Sequence, residues 1–373
     1  MPVSDLRFAA FCVVLVVYAL FGSPTADHPG FFEWLMAVLM VLSAGVFTMS
    51  PAFPLLVFGL VVPVVIGAVN GNEGPVMLRD LAGFLFLCLP VFYSGLLSVP
   101  HRQRLFIQAC LFIGLVFSLR TLGVVYGYLP VPGELLYLAN SPLVLFSALF
   151  MIGRGFDALA AAGTIKNFLF GVLWMAGAIL PMAAMLVDVQ RVGFAAITVT
   201  ILFYAGRLIW RHPVRAIVPC MIILAMAWLG WQSIETVYDA VMTKTSNVGL
   251  NMRLEEARAV FAALSGGAVD VALGKGWGAT LASPAVGGVT VSFTHSLLTY
   301  LMLKAGIFGL CLAGFYLVSA GRGVWRHAVA DPAIGAALIW PLVIPVFLYA
   351  SHKSLDFGLI LTLALLPVPR RVV

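Results

Sequence analysis

The sequence predicts an all-α polytopic membrane protein of about twelve transmembrane helices, with one large loop that carries a short helix. Three observations predict it. Hydrophobic residues make up 62% of the 373-residue chain and charged residues 10%, with a mean hydropathy of +1.08, whereas soluble domains hold about 25% charged residues. Apolar runs of membrane-crossing length, roughly 20 residues, recur along the chain. Short basic loops separate alternate runs, which is how cytoplasmic loops are marked. The +6 net charge therefore reports topology rather than affinity for nucleic acid.

In order, the runs fall near residues 6–22, 31–49, 53–69, 81–98, 105–125, 138–153, 167–187, 192–209, 216–232, 296–319, 333–350 and 355–369. The first is kept as a span because "SPTADHPG" after it makes a poor signal-peptide cleavage site. The sixth, "YLANSPLVLFSALFMIG", is short and interrupted by Pro142. All five cysteines (Cys12, Cys88, Cys110, Cys220, Cys311) lie inside apolar runs without a C-x-x-C pair, which argues against metal or disulfide roles. No internal repeat is visible, so residues 1–373 read as one transmembrane domain.

With the N-terminus cytoplasmic and every run counted, the basic loops "HRQR", "GRLIWRHPVR", "GRGVWRH" and the terminal "RR" all fall on the cytoplasmic side. Twelve lysines and arginines and three acids then lie inside, against eight and twelve outside, with Lys304 in a span. The long excursion at 233–293, between the ninth and tenth spans, is then extracytoplasmic. Within it "NMRLEEARAVFAALSGG" reads as a helix: Asn251 caps it, Glu255 and Glu256 sit in its first turns, and Leu254, Ala257, Phe261 and Leu264 form an apolar stripe before Gly266 and Gly267 end it. The glycine-rich "GKGWGA" and "SPAVGGVT" follow as loop.

This topology collects unusual polar residues at one level. His295 opens the tenth span at its outer mouth. Arg79 ends the outer loop before the fourth span, Arg120 lies near the outer end of the fifth, Arg191 sits in a tight outer hairpin, and Arg253 opens the loop helix. Each has a plain reading: Arg79 and Arg120 snorkel to headgroups, Arg253 pairs with a neighbouring glutamate, His295 caps a helix, and the loop glycines make turns. Taken together they suit a lipid diphosphate, since guanidinium forks onto phosphate oxygens and imidazole deprotonates a hydroxyl near neutral pH.

His295-Ser296, nine residues, then Gly306-Ile-Phe-Gly309 resembles the H-[NSQ]-x9-G-x-x-G signature of the O-antigen ligases and the related O-antigen polymerases. Arg191, Arg253 and "ALGKGWGA" match landmarks of those families in order, and the resemblance covers roughly residues 170–320. Gln190 stands where serine is common, Ala257 where a tryptophan often follows, and Lys304 where an acid is frequent. The resemblance implies metal-independent, inverting transfer of an undecaprenyl diphosphate-linked glycan to a lipid A-core acceptor at the periplasmic face of the bacterial inner membrane. His295 would be the catalytic base, and Arg191 and Arg253, with Arg79 and Arg120 behind them, would hold the diphosphate. Gly306 and Gly309 would serve close helix packing. No cofactor, metal or nucleic acid is expected, and the partners are the donor, the lipid-linked acceptor and membrane lipids. A polymerase extending a growing polysaccharide on the same donor fits these residues too. A lipid-linked oligosaccharide transporter fits less well, because transporters place charges at the midplane of repeated halves.

Overall fold

A computed structural model of the chain describes residues 2–23, 31–45, 47–129, 138–161, 164–211, 213–214, 216–217, 221 and 252–368. Most of the ninth run (216–232) and the loop before Met252, with the Asn251 cap, lie outside the described residues. The helices are α1 (Val3–Phe21), α2 (Phe31–Ser43), α3 (Phe53–Val69), α4 (Gly74–Leu87), α5 (Leu89–Leu97), α6 (Pro100–Val125), α7 (Pro142–Ala160), α8 (Ile165–Val187), α9 (Arg191–Arg211), α10 (Met252–Leu264), α11 (Ala268–Leu273), α12 (Leu297–Ala330), α13 (Pro332–Phe347) and α14 (Leu355–Leu365). A two-residue antiparallel pair, β1 (Leu281–Ala282) and β2 (Thr290–Val291), is the only sheet among the described residues. Among the described residues seven helical segments are long and apolar enough to cross a membrane, and α3, α13 and α14 are shorter apolar helices. The chain is an all-α, multi-pass membrane protein.

Proline sets many of the helix starts. Pro54, Pro75, Pro90, Pro100, Pro142 and Pro332 each occupy the first or second position of a helix, where the missing N–H would be unsatisfied in any case. Pro142 therefore opens α7 instead of interrupting it, and Ser141 caps the helix by accepting from the Leu143 N–H. The helix then runs on to Ala160 and is the most buried of the long spans, packed by α6, α8, α9 and α13. Pro90 likewise divides the fourth run, so α4 and α5 meet at Cys88. Helix α4 also begins earlier than the hydropathy suggests, which places Arg79 inside a helix rather than in the loop before it.

Paired charges and close glycines tie the bundle. At one end of the molecule Arg102 pairs with Asp5 and Arg154 with Asp331, both at 2.6 Å, joining α6 to α1 and α7 to the start of α13. Gly323 of α12 abuts the Ala364 carbonyl of α14, and Gly358 of α14 abuts the Phe86 carbonyl of α4; a methyl group at either would collide with backbone. His295, α10 and the β-hairpin lie at the opposite end. Asp80 and Asp356, which the charge count placed with the outer-loop acids, are both wholly buried, in α4 and α14.

Candidate functional site

The platform for the site is the glycine loop after α11. Gly274, Gly276 and Gly278 all have φ between 76° and 82°, a region that suits glycine. They let the backbone press into the membrane bundle, Gly274 against Lys304 to Gly306 and Gly276 against Gly67. Two breaks in neighbouring helices receive it. Pro63 in α3 has no N–H for the Gly59 carbonyl, and that carbonyl instead accepts the buried Trp277 indole N–H at 2.8 Å, while the Pro63 carbonyl accepts the Trp277 N–H at 2.9 Å. In α12, Gly306 (φ 63°, ψ −164°) interrupts the helix, and the carbonyls of Leu303 and Lys304 accept the N–H groups of Lys275 and Gly276 at 2.8 and 3.1 Å. Gly306 therefore packs against the loop, touching Ala272 and Gly274, while Gly309 packs against Phe58 and Ala305.

Lys304 locks this assembly. Its Nζ donates to Asp80 Oδ2 and to the Ala279 carbonyl with no exposure of either charged side chain, and Asp80 Oδ2 also accepts the Gly278 N–H at 2.9 Å. The backbone N–H groups from Gly274 to Gly278 thus all donate within the protein. The loop is a structural plug and offers no phosphate cradle.

On this platform the β-hairpin delivers Ser283, then Phe293 and His295. Glu256, on the inner face of α10 with Val260 and Leu264, is only 1% exposed. Its Oε1 accepts the His295 ring Nδ1–H and its Oε2 accepts the His295 backbone N–H, each at 2.9 Å, and the Ser283 hydroxyl donates to Oε1 at 2.8 Å. Burial pushes the Glu256 carboxyl up, but the bonds and charge of His295 and the Ser283 hydroxyl outweigh it and hold the group below its ordinary value. An ionised carboxylate only accepts, so Nδ1 carries the proton and the Nε2 of neutral His295 keeps its lone pair. No described side chain engages Nε2. Ser296 caps α12 through the Thr299 N–H at 3.1 Å, fixing the helix start one residue beyond the imidazole.

Two of the predicted arginines are coupled to each other and, through Arg253, to Glu256. Arg253 sits three residues before Glu256 on α10, a spacing that puts both on one helix face. Burial lowers its pKa, Glu256 and Tyr349 oppose that, and the like charge of Arg191 adds to it, so Arg191, Arg253 and Tyr349 share one electrostatic neighbourhood. Arg191 opens α9 straight after a three-residue hairpin in which Val189 holds φ +52°, a conformation that costs a β-branched residue roughly 1–3 kcal/mol. Arg79 braces the loop below His295, donating to the Ser292 hydroxyl at 3.0 Å. Arg120 is not brought to this cluster: it donates to the Ala19 and Gly22 carbonyls at 3.1 and 2.8 Å and caps the C-terminal end of α1.

Lys353 and His352 belong to no motif in the sequence. Lys353 lies 5.1 Å above the Phe293 ring and 4.0 Å from Asp80. His352 packs on Tyr300 with ring centroids 5.0 Å apart, and burial, then Lys353, lowers its pKa to about 3, so it is an uncharged core histidine. Glu256 was not singled out by the sequence, where it reads as a first-turn acid; the signal that could have found it is its place in the 256–260–264 register that the fold buries. The stripe itself differs from expectation: Leu254 and Phe261 point outward, 57% and 61% exposed. Among the described residues no group of three or more His, Cys, Asp or Glu side chains converges to hold a metal ion. The chain matches no protein-family model, no curated protein and no solved structure.

Proposed function

We propose that the chain is an inverting, metal-independent glycosyltransferase of the O-antigen ligase type, moving an undecaprenyl diphosphate-linked glycan onto lipid A-core at the periplasmic face of the bacterial inner membrane. The reading includes about twelve spans, cytoplasmic termini and residues 233–293 on the periplasmic side. The observation that carries it is the His295–Glu256 pair, with Nε2 turned away from the carboxylate, the half-buried Arg253 three residues before Glu256 on α10, and the half-buried Arg191 within the electrostatic reach of Arg253.

In this mechanism the acceptor hydroxyl gives its proton to Nε2 of His295 as its oxygen attacks the anomeric carbon. The bond from that carbon to the diphosphate oxygen breaks on the opposite face, which inverts the configuration. The electron pair leaves with undecaprenyl diphosphate, whose growing charge Arg191 and Arg253 stabilise. Glu256 stabilises the imidazolium until its proton passes to water. General-base help of this kind supplies roughly 10²–10⁴-fold.

The test is glycan transfer in reconstituted membranes with a lipid diphosphate donor, chelator present, and either lipid A-core or a lipid-linked glycan as acceptor. The expected result is chelator-resistant transfer to lipid A-core, reduced about 10²-fold or more in His295→Ala with donor binding retained. Full activity of His295→Ala, or complete inhibition by chelator, overturns the mechanism. Transfer only to the lipid-linked glycan reassigns the chain as a polymerase.

A further inference from the structure

At the other end of α12, roughly 20–30 Å of helix beyond Gly306, the described residues form a groove of about 800 Å³ lined by Pro51, Ser319, Arg322, Trp325, Arg326 and Leu365. Arg322, Trp325 and Arg326 follow the 3-4 spacing of one helix face, and all three are exposed. The two arginines differ from others at this end. Arg102 and Arg154 are paired with Asp5 and Asp331, whereas Arg322 and Arg326 have no ion pair or hydrogen bond with any described residue.

The same face continues along α12 as apolar surface. Val318 and Phe315, one and two turns from Arg322, are 56% and 59% exposed. A ligand matching this surface has an anionic head for two guanidiniums and hydrocarbon for the strip beside them. Arginine forks onto phosphate oxygens, and Trp325 supplies an amphipathic ring suited to the headgroup level. A soluble phosphate would leave the Phe315–Val318 strip unused, and a zwitterionic lipid would bring a cation toward the arginines. We infer that this groove is a binding site for an anionic glycerophospholipid, its phosphate held between Arg322 and Arg326 and an acyl chain laid along Val318 and Phe315. The site is separate from the His295 cluster and independent of the transfer reaction.

The test is native mass spectrometry and thermal unfolding of the intact, detergent-purified protein, titrated with phosphatidylglycerol, phosphatidylcholine or glycerol phosphate. The expected result is preferential retention of phosphatidylglycerol and a rise in unfolding midpoint with that lipid alone. Arg322→Gln with Arg326→Gln should weaken its affinity on the order of 10- to 30-fold. Both positions are exposed, so the variant should fold. Arg104→Gln with Arg211→Gln removes the same charge from exposed positions at this end outside the groove and should leave affinity within about twofold. Equal losses in the two double variants mean diffuse attraction and overturn the site. Equal binding of phosphatidylcholine or of glycerol phosphate overturns the assignment to an anionic lipid.

Discussion

Glu256 meets His295 twice, Oε1 taking the ring Nδ1–H and Oε2 the backbone N–H, each at 2.9 Å. One buried carboxylate thereby sets the tautomer of the imidazole and the position of the residue that carries it. The contact also joins α10 to the loop entering α12, elements 39 positions apart in the chain.

Glu256→Gln keeps the shape of this contact but removes its charge, and its amide is able to donate toward Nδ1 and favour the wrong tautomer. Under the proposed reaction kcat should fall about 10- to 100-fold while KM for the donor stays within about twofold. A merely structural role would move both constants or neither. Acid stability gives a second readout. The folded carboxyl lies below its ordinary value, so its stabilisation is complete above the unfolded pKa and is lost as pH falls through the folded one. The acid limb of the unfolding midpoint should flatten in Glu256→Gln, and an unchanged limb would remove Glu256 as its cause.

Lys304 and Asp80 call for a different experiment, because their pair clamps the glycine plug and touches no proposed substrate atom. Breaking a buried ion pair from one side leaves an uncompensated charge and costs about 3–5 kcal/mol. Lys304→Met should therefore lower the unfolding midpoint sharply in detergent. Lys304→Met with Asp80→Leu removes both charges and should recover part of the loss. A single variant as stable as the unaltered protein, or a double variant no better than the single, would contradict the clamp.

The helical, membrane-spanning class was legible because a bilayer is the setting that apolar runs of this length and number require. Helix boundaries were less so. Pro142 reads as an interruption when hydropathy alone is scanned, yet as a helix start once its neighbour Ser141 is recognised as a cap. His295, Arg191 and Arg253 stand out in the sequence as polar residues that the expected topology puts at one level. Arg120 was indistinguishable from them, because nothing in one sequence shows that the Ala19 and Gly22 carbonyls await it. Asp80 and Lys304 stand 224 positions apart, and only the folded chain brings them together. The break at Gly306 was hidden for the same reason: it exists to receive Lys275 and Gly276 from another segment.

Topology is the premise of the proposed reaction and has its own measurement. Reporter fusions after Arg104, Arg211 and Trp325 should all report the cytoplasm, and a fusion near Asp270 should report the periplasm. A cytoplasmic signal near Asp270 would place His295 on the wrong side for a periplasmic transfer. It would leave the His295–Glu256 contact and the lipid groove untouched.

The arginines separate into two behaviours. Arg191 and Arg253 are assigned to the diphosphate, where the two-pronged guanidinium matters more than the charge alone. Arg191→Lys and Arg253→Lys should each reduce transfer at least ~10-fold, with the unfolding midpoint nearly unchanged. Arg120, engaged at the end of α1, should do the reverse. Its guanidinium answers the carbonyl dipoles there, a contribution of up to about 2 kcal/mol in partly buried geometry. Arg120→Gln should lower the midpoint and leave kcat per folded molecule intact. Arg79, which braces the loop before His295 through Ser292, should fall between, losing rate in Arg79→Ala with little change in donor affinity. The measurements are single-turnover transfer and thermal unfolding on the same preparations. Lysine variants of Arg191 and Arg253 that retain full transfer would return those residues to simple headgroup contacts, and a loss of transfer in Arg120→Gln at unchanged stability would bring Arg120 back into the site.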